Sequence, residues 1–345
     1  MEIESDLCVF FHMTYPGIHL HIRFCMVYYI WTKQYERADR IGRVTQEEYC
    51  MRLGIAASLP HETPEEWAKK HKDAGLGAVV FPCNADAPRE WIERYRDAAW
   101  DNDLVIAEVG IWNNPLDRDP QKRKQNLDRC IAQLALADFV HANCCVNISG
   151  STGALWDGGY AENYTRETFE EIVETVRYIL DAVHPTHTEY SLEPMPYMLP
   201  DSPETYLELA RAVDRPGFGF HMDAVNLLNS PRRYFGNREF VSHCFSLLGN
   251  RVKSCHLKDT RMEPSALTVT IRECVFGEGS FDMLHYIRTA EAVDPDSGSC
   301  LCRNGMKCRA AIIPPHMARP FVACRAHCPH NGLKISGSCW KRSPG

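Results

Sequence analysis

The 345-residue sequence predicts an α/β protein built as a (β/α)₈ barrel whose eighth strand is missing or replaced. Seven short apolar runs between residues 51 and 296 alternate with amphipathic helices, and this alternation favours parallel β-α units. The runs are apolar almost throughout, which is typical of strands buried on both faces. A doubly wound open sheet is the alternative, but no glycine-rich phosphate loop follows the first run.

The strands and helices can be placed in order. The candidate strands are MRLGIAASL (51–59), GAVVFPC (77–83), LVIAEVGIW (104–112), CCVNISG (144–150), EYSLEPM (189–195), FGFHMDAV (218–225) and VKSCHLK (252–258). Thr63, Pro64 and Glu66 give the first helix a cap, a proline in its first turn and a capping-box glutamate. Ser202 and Pro203 repeat the cap and the proline. A further helix has one apolar face, formed by Phe169, Ile172, Val173, Val176, Leu180 and Val183.

Composition divides the chain into three parts. Residues 1–50 show no clear strand–helix rhythm and are predicted to be an N-terminal extension outside the barrel. Residues 51–296 form the predicted barrel. Residues 297–345 contain eight Lys or Arg, no Asp or Glu, and six of the sixteen cysteines. This break predicts a change of reading frame or gene boundary, and therefore a non-native or disordered tail. A surface tail and a zinc module built on the tail's cysteines and histidines are the alternatives.

Charge and hydropathy exclude some classes of protein. The net charge of −7 disfavours a nucleic-acid binder, which usually has a basic face. No run of 18 apolar residues exists, and the acidic start lacks the basic region of a signal peptide. We therefore expect a cytoplasmic protein without nucleic-acid or membrane partners. The cysteines scattered through 51–296 are expected to be small buried hydrophobic residues.

Polar residues stand at the ends of three successive candidate strands. Glu193, Asp223 and His256 lie where the fifth, sixth and seventh strands end, and strand ends form the functional face of such a barrel. Alternation places His221 on the same face as Asp223, and Lys258 on the same face as His256. Carboxylates combined with an imidazole suit Mn²⁺, Co²⁺, Mg²⁺ or Zn²⁺. The sequence therefore predicts a divalent metal site at this face.

Further residues are candidates for substrate binding. Glu108 belongs to the third strand, Asn113 follows that strand, and His61 follows the first. Each has a structural alternative, since a strand-end carboxylate often caps a helix or pairs with a cation, and a loop histidine is often solvated. Lys258 is likewise either a substrate contact or the ion-pair partner of a neighbouring carboxylate.

Five segments of the middle part carry a resemblance to known proteins. In chain order they are MRLGIAASLPHETPEEWAKKHKDAGLGAVVFPC, LVIAEVGIWNNPL, YSLEPMPYMLPDSPETY, HMDAVNLLNSPRRYF and VKSCHLKD. From Met51 to about residue 296 the chain resembles the sugar phosphate isomerase/epimerase family of xylose-isomerase-like TIM barrels. This superfamily also includes keto-sugar epimerases, inositol-pathway enzymes and metal-dependent DNA-repair endonucleases, so the resemblance names no substrate.

The resemblance implies a role for each strand-end residue. Glu193 matches a metal ligand that is also an acid/base, Asp223 and His256 match further ligands, and His221 matches a residue that contacts the substrate. The implied reaction is the isomerisation or epimerisation of a keto sugar or sugar phosphate. A divalent ion stabilises the enediolate that forms when a proton leaves carbon, and in an epimerase a second carboxylate returns a proton to the opposite face.

The resemblance also implies a glutamate on the eighth strand, as fourth ligand and second acid/base. Residues 297–345 hold no carboxylate side chain, and their aliphatic run from Ala310 to Ile313 stops at Pro314, which suits a central strand badly. We therefore expect weak metal affinity and little or no epimerase activity. We also expect unpaired edges on the first and seventh strands, which favour a partner such as a second copy in a homo-oligomer. A non-catalytic relic that binds a ligand, and an endonuclease-like hydrolase, are the alternative functions.

Overall fold

A computed structural model describes residues 12–15, 18–21, 49–56, 58–265, 267–292, 309–311 and 321–327 of the protein. Contacts divide the chain into two compact units, one formed by Glu48–His327 and the other by Met1–Glu47 with Cys328–Gly345. The described part of the second unit is an antiparallel pair of strands, β1 (His12–Tyr15) and β2 (Ile18–His21). The predictions of an extension and of a non-native or disordered tail lie mostly outside the described residues.

A curled sheet of parallel strands forms the centre of the Glu48–His327 unit. Its seven parallel strands are β3 (Tyr49–Ile55), β4 (Ala78–Val80), β5 (Val105–Gly110), β6 (Cys144–Asn147), β7 (Glu189–Leu192), β8 (Phe220–Met222) and β9 (Val252–Leu257). Each coincides with a candidate strand of the sequence. A single bridge from Tyr190 to Phe218 connects β7 to the residues that lead into β8. The predicted α/β class and incomplete (β/α)₈ barrel are confirmed.

Helices cover the outside of the sheet. They are α1 (Pro64–Asp73), α2 (Arg89–Asp101), α3 (Pro120–Phe139), α4 (Arg166–Val183), α5 (Pro203–Val213), α6 (Pro231–Phe235), α7 (Asn237–Leu248) and α8 (Met283–Ala292), with short 3₁₀ turns at Ala161–Tyr164 and Gly249–Arg251. The predicted start of α1 is confirmed: the Glu66 amide donates to Thr63 Oγ1 at 3.2 Å, and the Glu62 amide donates to Glu66 Oε2 at 2.8 Å. Ser202 caps α5 in the same way.

The predicted apolar face of α4 packs into the core between helices and sheet. Phe169, Ile172, Val173, Val176 and Leu180 are all buried. Of the seven cysteines between residues 51 and 296, five are buried as expected, namely Cys130, Cys144, Cys145, Cys244 and Cys255, whereas Cys83 and Cys274 are only partly buried. Within the part of the chain that the structure describes, no helix combines the length and apolarity needed to cross a bilayer.

Four described strands follow the seventh parallel strand and lie outside the sequence prediction. After β9, the strands β10 (Asp259–Met262) and β11 (Ile271–Cys274) form an antiparallel hairpin. Further on, β12 (Arg309–Ala311) pairs in parallel with β9. The strand β13 (Phe321–His327) pairs in an antiparallel direction with β3 and also contacts β9.

These pairings correct the expectation of unpaired edges on the first and seventh parallel strands. Ala310 pairs with Ser254 on β9, and Val322 pairs with Gly54 on β3. The physical reason is that strand pairing uses backbone N–H and C=O groups, so a segment can cover an edge without an apolar run that ends in glutamate. Because residues 297–345 contain no Asp or Glu, the covering strands bring no carboxylate to the barrel.

Candidate metal centre

Five polar side chains meet where the parallel strands end. Glu108 lies in β5 and Glu193 directly follows β7, while His221 and Asp223 lie in or directly after β8 and His256 lies in β9. All five are at most 2% exposed. Their convergence follows from the parallel sheet, since the carboxyl ends of all its strands meet on one face. Burial of three carboxylates together requires cations or hydrogen-bond donors nearby.

Glu193, Asp223 and His256 form the first of two possible ligand sets. His256 Nδ1 lies 2.8 Å from Glu193 Oε1 and 3.4 Å from Asp223 Oδ2. One ligand atom from each residue lies within 4.8 Å of the other two. The structure therefore brings together the three residues that the sequence predicts as metal ligands, and two carboxylates with one imidazole fit a divalent ion.

Asn226 holds this set in place, and sequence reasoning missed it. Its backbone N–H donates to Asp223 Oδ1 at 3.1 Å, and its side-chain Nδ2 donates to Glu193 Oε1 at 3.1 Å and to the Pro194 carbonyl at 3.0 Å. Asn226 thereby connects the end of β7 to the end of β8. The signal available in the sequence was an Asx-type turn, since an Asp at a strand end commonly accepts a bond from a backbone N–H a few residues later.

Lys258 is the cation of the cluster and is itself buried. Its Nζ lies 2.9 Å from Asp223 Oδ2, 2.9 Å from Glu273 Oε1 and 3.9 Å from Glu193 Oε1, and donates to Asn226 Oδ1 at 3.0 Å. Burial lowers the pKa of Lys258, but these carboxylates outweigh burial and raise it overall, so the ammonium stays charged. The geometry matches the structural ion pair that the sequence left open. Glu273 belongs to the β10–β11 hairpin, which carried no strand signal.

Glu108 and His221 lie on the other side of His256. Glu108 Oε1 is 3.2 Å from His221 Nδ1, and Glu108 Oε2 is 3.8 Å from His256 Nε2. His221 Nδ1 also contacts Ser254 Oγ at 2.5 Å, and Ser254 Oγ lies 3.0 Å from Cys144 Sγ. Glu108 therefore belongs to the buried cluster and contacts two imidazoles, rather than capping a helix.

Burial governs the protonation of the central groups. It raises the pKa of Glu193 well above its ordinary value, against the nearby Lys258 charge, which lowers that pKa. Burial lowers the pKa of His256 well below its ordinary value, and the neighbouring His221 and Lys258 lower it further. His256 is therefore neutral near pH 7, which is the form that binds a metal.

The remaining sequence candidates contact other partners. His61 Nε2 lies 2.7 Å from the Tyr95 hydroxyl, and His61 Nδ1 lies 2.6 Å from the Leu59 carbonyl. Asn113 donates from Nδ2 to the Asn126 carbonyl at 3.0 Å and accepts from Asn147 Nδ2 at 2.9 Å. None of these contacts, as described, reaches the buried cluster directly, so a substrate contact by His61 or Asn113 stays a prediction.

Trp112 borders the cluster beside His256. Its ring is stacked on His256 with centroids 6.2 Å apart and planes inclined by 29°. Trp112 has a φ of 54°, in the left-handed region, and remains 37% exposed. Gly110 makes this position available, because a Cβ there would lie 2.3 Å from Trp112 Nε1. The cluster is thus bordered by a partly exposed aromatic ring on a strained backbone.

Comparisons with known proteins agree with this fold. No curated protein matches the chain significantly. Among solved structures, a xylose isomerase-like TIM barrel protein from Mycobacterium smegmatis in complex with magnesium is 17% identical, with a TM-score of 0.50, over 68% of this chain and 80% of that one. A xylose isomerase domain protein from Planctomyces limnophilus is 15% identical, with a TM-score of 0.51, over 75% of this chain and 89% of that one.

A D-psicose 3-epimerase from Clostridium cellulolyticum H10 is 16% identical, with a TM-score of 0.42, over 55% of this chain and 66% of that one. The two structures with TM-scores of 0.50 and 0.51 establish a shared fold alone. The family model for xylose isomerase-like TIM barrels matches residues 63–302, well over half of the chain. This match confirms the resemblance found in the sequence, and the chain therefore belongs to the family of xylose isomerase-like TIM barrels.

Proposed function

We propose that the protein is a divalent-metal-dependent isomerase or epimerase that acts on a keto sugar or sugar phosphate through an enediolate. The observation that carries this proposal is the buried set of Glu193, Asp223 and His256 at the functional face of the barrel. Its family includes sugar isomerases and epimerases, which supports the reaction class. The proposed ion is Mn²⁺, Co²⁺, Mg²⁺ or Zn²⁺, because mixed oxygen and nitrogen ligands suit all four.

Each residue of the cluster has its own role in the proposed reaction. When bound, a divalent ion would polarise the substrate carbonyl and stabilise negative charge on the adjacent oxygens. Glu193, Asp223 and His256 would hold that ion, and Glu193 would also take the proton from the substrate carbon. Lys258 and Asn226 would keep the two carboxylates oriented, as they do through their contacts with Asp223 and Glu193.

We expect the protein to be a poor catalyst of epimerisation. Epimerisation needs a second acid/base on the opposite face of the substrate, and residues 297–345 contain no Asp or Glu to supply one. An aldose–ketose shift is less demanding, because one carboxylate can move the proton between two carbons on the same face. We therefore expect any residual activity to be isomerisation rather than epimerisation. We place the reaction in the cytoplasm, on a free small molecule.

Titration of the metal-free protein with Mn²⁺ tests the site. Calorimetry is expected to show saturable binding to the native chain and a loss of more than about 100-fold in Glu193→Ala, since even the partners of metal ligands contribute about 10- to 100-fold. Glu193→Gln keeps the shape of the side chain and is expected to lose affinity as well. Glu208→Gln is the control, because among the described residues Glu208 forms an exposed ion pair with Arg166, away from the cluster.

Activity is tested separately, with ketoses and their phosphates in the presence of Mn²⁺ and in the presence of a chelator. Equal Mn²⁺ affinity in the native chain and in both Glu193 variants would reject the site. Metal binding at Glu193 without conversion of any sugar would leave the alternative function, a ligand-binding barrel that is not an enzyme.

A further inference from the structure

The His256 ring has one nitrogen on each side of the buried cluster. Nδ1 faces Glu193 and Asp223, at 2.8 Å and 3.4 Å. Nε2 faces Glu108, with Oε2 at 3.8 Å. A second ligand set, formed by Glu108, His221 and His256, also brings one ligand atom from each residue within 4.8 Å of the others. We propose that this set is a separate Zn²⁺ site, which competes with the Glu193–Asp223–His256 set for the imidazole of His256.

His221 presents a free nitrogen to this second set. Its Nδ1 lies 2.5 Å from Ser254 Oγ and 3.2 Å from Glu108 Oε1. We assign the hydrogen to Nδ1, because both neighbouring oxygens can accept it. In this neutral tautomer the lone pair is on Nε2. His221 is fully buried, and its Nε2 has no hydrogen-bond partner within the described part of the chain. A buried acceptor of this kind is destabilising unless a ligand satisfies it.

His256 resembles His221 in that one of its ring nitrogens contacts a hydrogen-bond partner and the other faces the second ligand set. Its Nδ1 contacts Glu193 Oε1 at 2.8 Å, and that oxygen also accepts a bond from Asn226 Nδ2 at 3.1 Å. We assign the hydrogen to Nδ1, with Glu193 Oε1 as its acceptor, which puts the lone pair on Nε2. Among the described residues, Nε2 has no hydrogen-bond partner. A histidine that donates one ring N–H to a carboxylate and binds a metal through the other nitrogen is the common arrangement of zinc-bound imidazoles.

Glu108 supplies the negative charge of the second set. Its Oε1 is buried and forms no hydrogen bond with the residues that the structure describes. The described ion pairs of Lys258 involve Asp223, Glu193 and Glu273, so the ammonium lies on the other side of the cluster. His221 and His256 thus each carry a buried nitrogen without a hydrogen-bond partner among the described residues, and Glu108 lies within reach of both rings. Together the three residues contribute one carboxylate and two imidazoles.

The two sets differ in the ion that they suit. Two histidines and a glutamate are a ligand set of catalytic zinc sites, which keep a fourth position open. Two carboxylates and one imidazole are richer in oxygen and suit Mn²⁺ or Mg²⁺. Occupation of the zinc site through His256 Nε2 preserves the bond from Nδ1 to Glu193, whereas an ion in the other set needs Nδ1 itself. Binding of one ion therefore weakens binding of the other.

Two variants separate the sites by calorimetric titration of metal-free protein with Zn²⁺ and with Mn²⁺. Glu108→Gln is expected to weaken Zn²⁺ binding on the order of 100-fold and to leave Mn²⁺ affinity within about twofold. Asp223→Asn is expected to do the reverse. His221→Gln serves as a second zinc-site variant, and thermal unfolding checks that each variant is folded. His243→Gln is the control for a histidine outside the cluster, because it is exposed.

X-ray absorption at the zinc edge distinguishes this site from the cysteines of the tail. The proposed site predicts nitrogen and oxygen neighbours at about 2.0–2.2 Å, whereas cysteine ligands would give sulfur at about 2.3 Å. The proposal is overturned if Asp223→Asn loses Zn²⁺ as strongly as Glu108→Gln does, or if sulfur dominates the zinc spectrum and Glu108→Gln has no effect. Because Mn²⁺ binding depends on Glu193 and Asp223, failure of the zinc site leaves the proposed function untouched.

Discussion

The Lys258 ammonium lies 2.9 Å from Asp223 Oδ2, the same oxygen that faces His256 Nδ1 at 3.4 Å. Asp223 Oδ2 thus faces both the positive charge of Lys258 and a ring nitrogen of His256, a proposed metal ligand. Lys258 neutralises part of the charge of the buried acids, and it opposes any divalent ion that binds the same oxygen.

Replacement of Lys258 should therefore change stability and metal affinity in opposite directions. Lys258→Met removes the charge and keeps the length of the side chain. We expect the metal-free protein to lose about 3–5 kcal/mol of unfolding free energy, because buried acids lose their partner. We expect Mn²⁺ to bind about tenfold more tightly or better, since an ion no longer competes with the ammonium.

Urea unfolding in a chelator and calorimetric titration measure the two effects. Lys253→Met on the same strand is the matched control, because its partner Glu189 lies outside the cluster and both side chains are partly exposed. Equal or weaker Mn²⁺ binding in Lys258→Met would contradict the role given to the ammonium.

We expect Asn226 to contribute to metal binding, although it is not itself one of the proposed ligands. Asn226→Ala removes the donor to Glu193 Oε1 and the acceptor of Lys258 Nζ. We expect a loss of about 1–3 kcal/mol of unfolding free energy and about 10-fold in Mn²⁺ affinity, because partners of ligand groups orient them. Asn229→Ala, which removes only an exposed contact with Arg233, is the control. An Asn226 variant that binds Mn²⁺ as tightly as the native chain would show that the bridge is dispensable.

The fit between Gly110 and Trp112 can be tested by a double-mutant cycle. Gly110→Ala places a Cβ 2.3 Å from Trp112 Nε1, so the indole has to leave its stack on His256. We expect a cost of about 1–3 kcal/mol in unfolding free energy and a change in tryptophan fluorescence.

In a Trp112→Ala background the clashing ring is gone, and we expect Gly110→Ala to cost much less. Equal costs in the two backgrounds would mean that the ring does not set the need for glycine.

His71 should make the stability of the protein depend on pH. It is buried in α1 with Nδ1 2.7 Å from the Trp67 carbonyl, and burial lowers its pKa below the ordinary value. A lowered folded-state pKa means that the unfolded chain binds the proton first as the pH falls. Stability is therefore greatest above about pH 6.5 and decreases below it, by at most about 1.4 kcal/mol per pH unit for this one group.

Urea unfolding between pH 5 and pH 7.5 checks this, with His71→Gln as the variant. The variant is expected to have a shallower acid slope than the native chain. It retains the slope that comes from His256, whose pKa is lowered as well. An unchanged slope in His71→Gln would show that His71 takes up its proton as readily in the folded chain as in the unfolded chain.

Local sequence information predicts much of this fold. Apolar runs marked all seven parallel strands, and the Thr63 and Ser202 caps marked two helix starts, because both signals depend on residues close together in the chain. Position at a strand end and alternation were enough to predict that Glu193, Asp223 and His256 converge, since parallel strands share one carboxyl face.

Other features depended on contacts between distant residues. Glu108 is 113 positions from His221, yet the two side chains lie 3.2 Å apart, and only the curled sheet brings them together. Glu273 reaches Lys258 from a hairpin that has no apolar periodicity. The edges of β3 and β9 are covered through backbone pairing, which leaves no mark in side-chain composition.

The sequence by itself predicted the barrel, its family and the convergence of Glu193, Asp223 and His256 at one face. Only the tertiary structure decided which nitrogen of each histidine faces a hydrogen-bond partner, because Ser254 and Glu193 lie within hydrogen-bonding distance of Nδ1 of His221 and of His256. Strand periodicity fixes the face on which a side chain lies, but the neighbours that it meets there are fixed by the closure of the sheet.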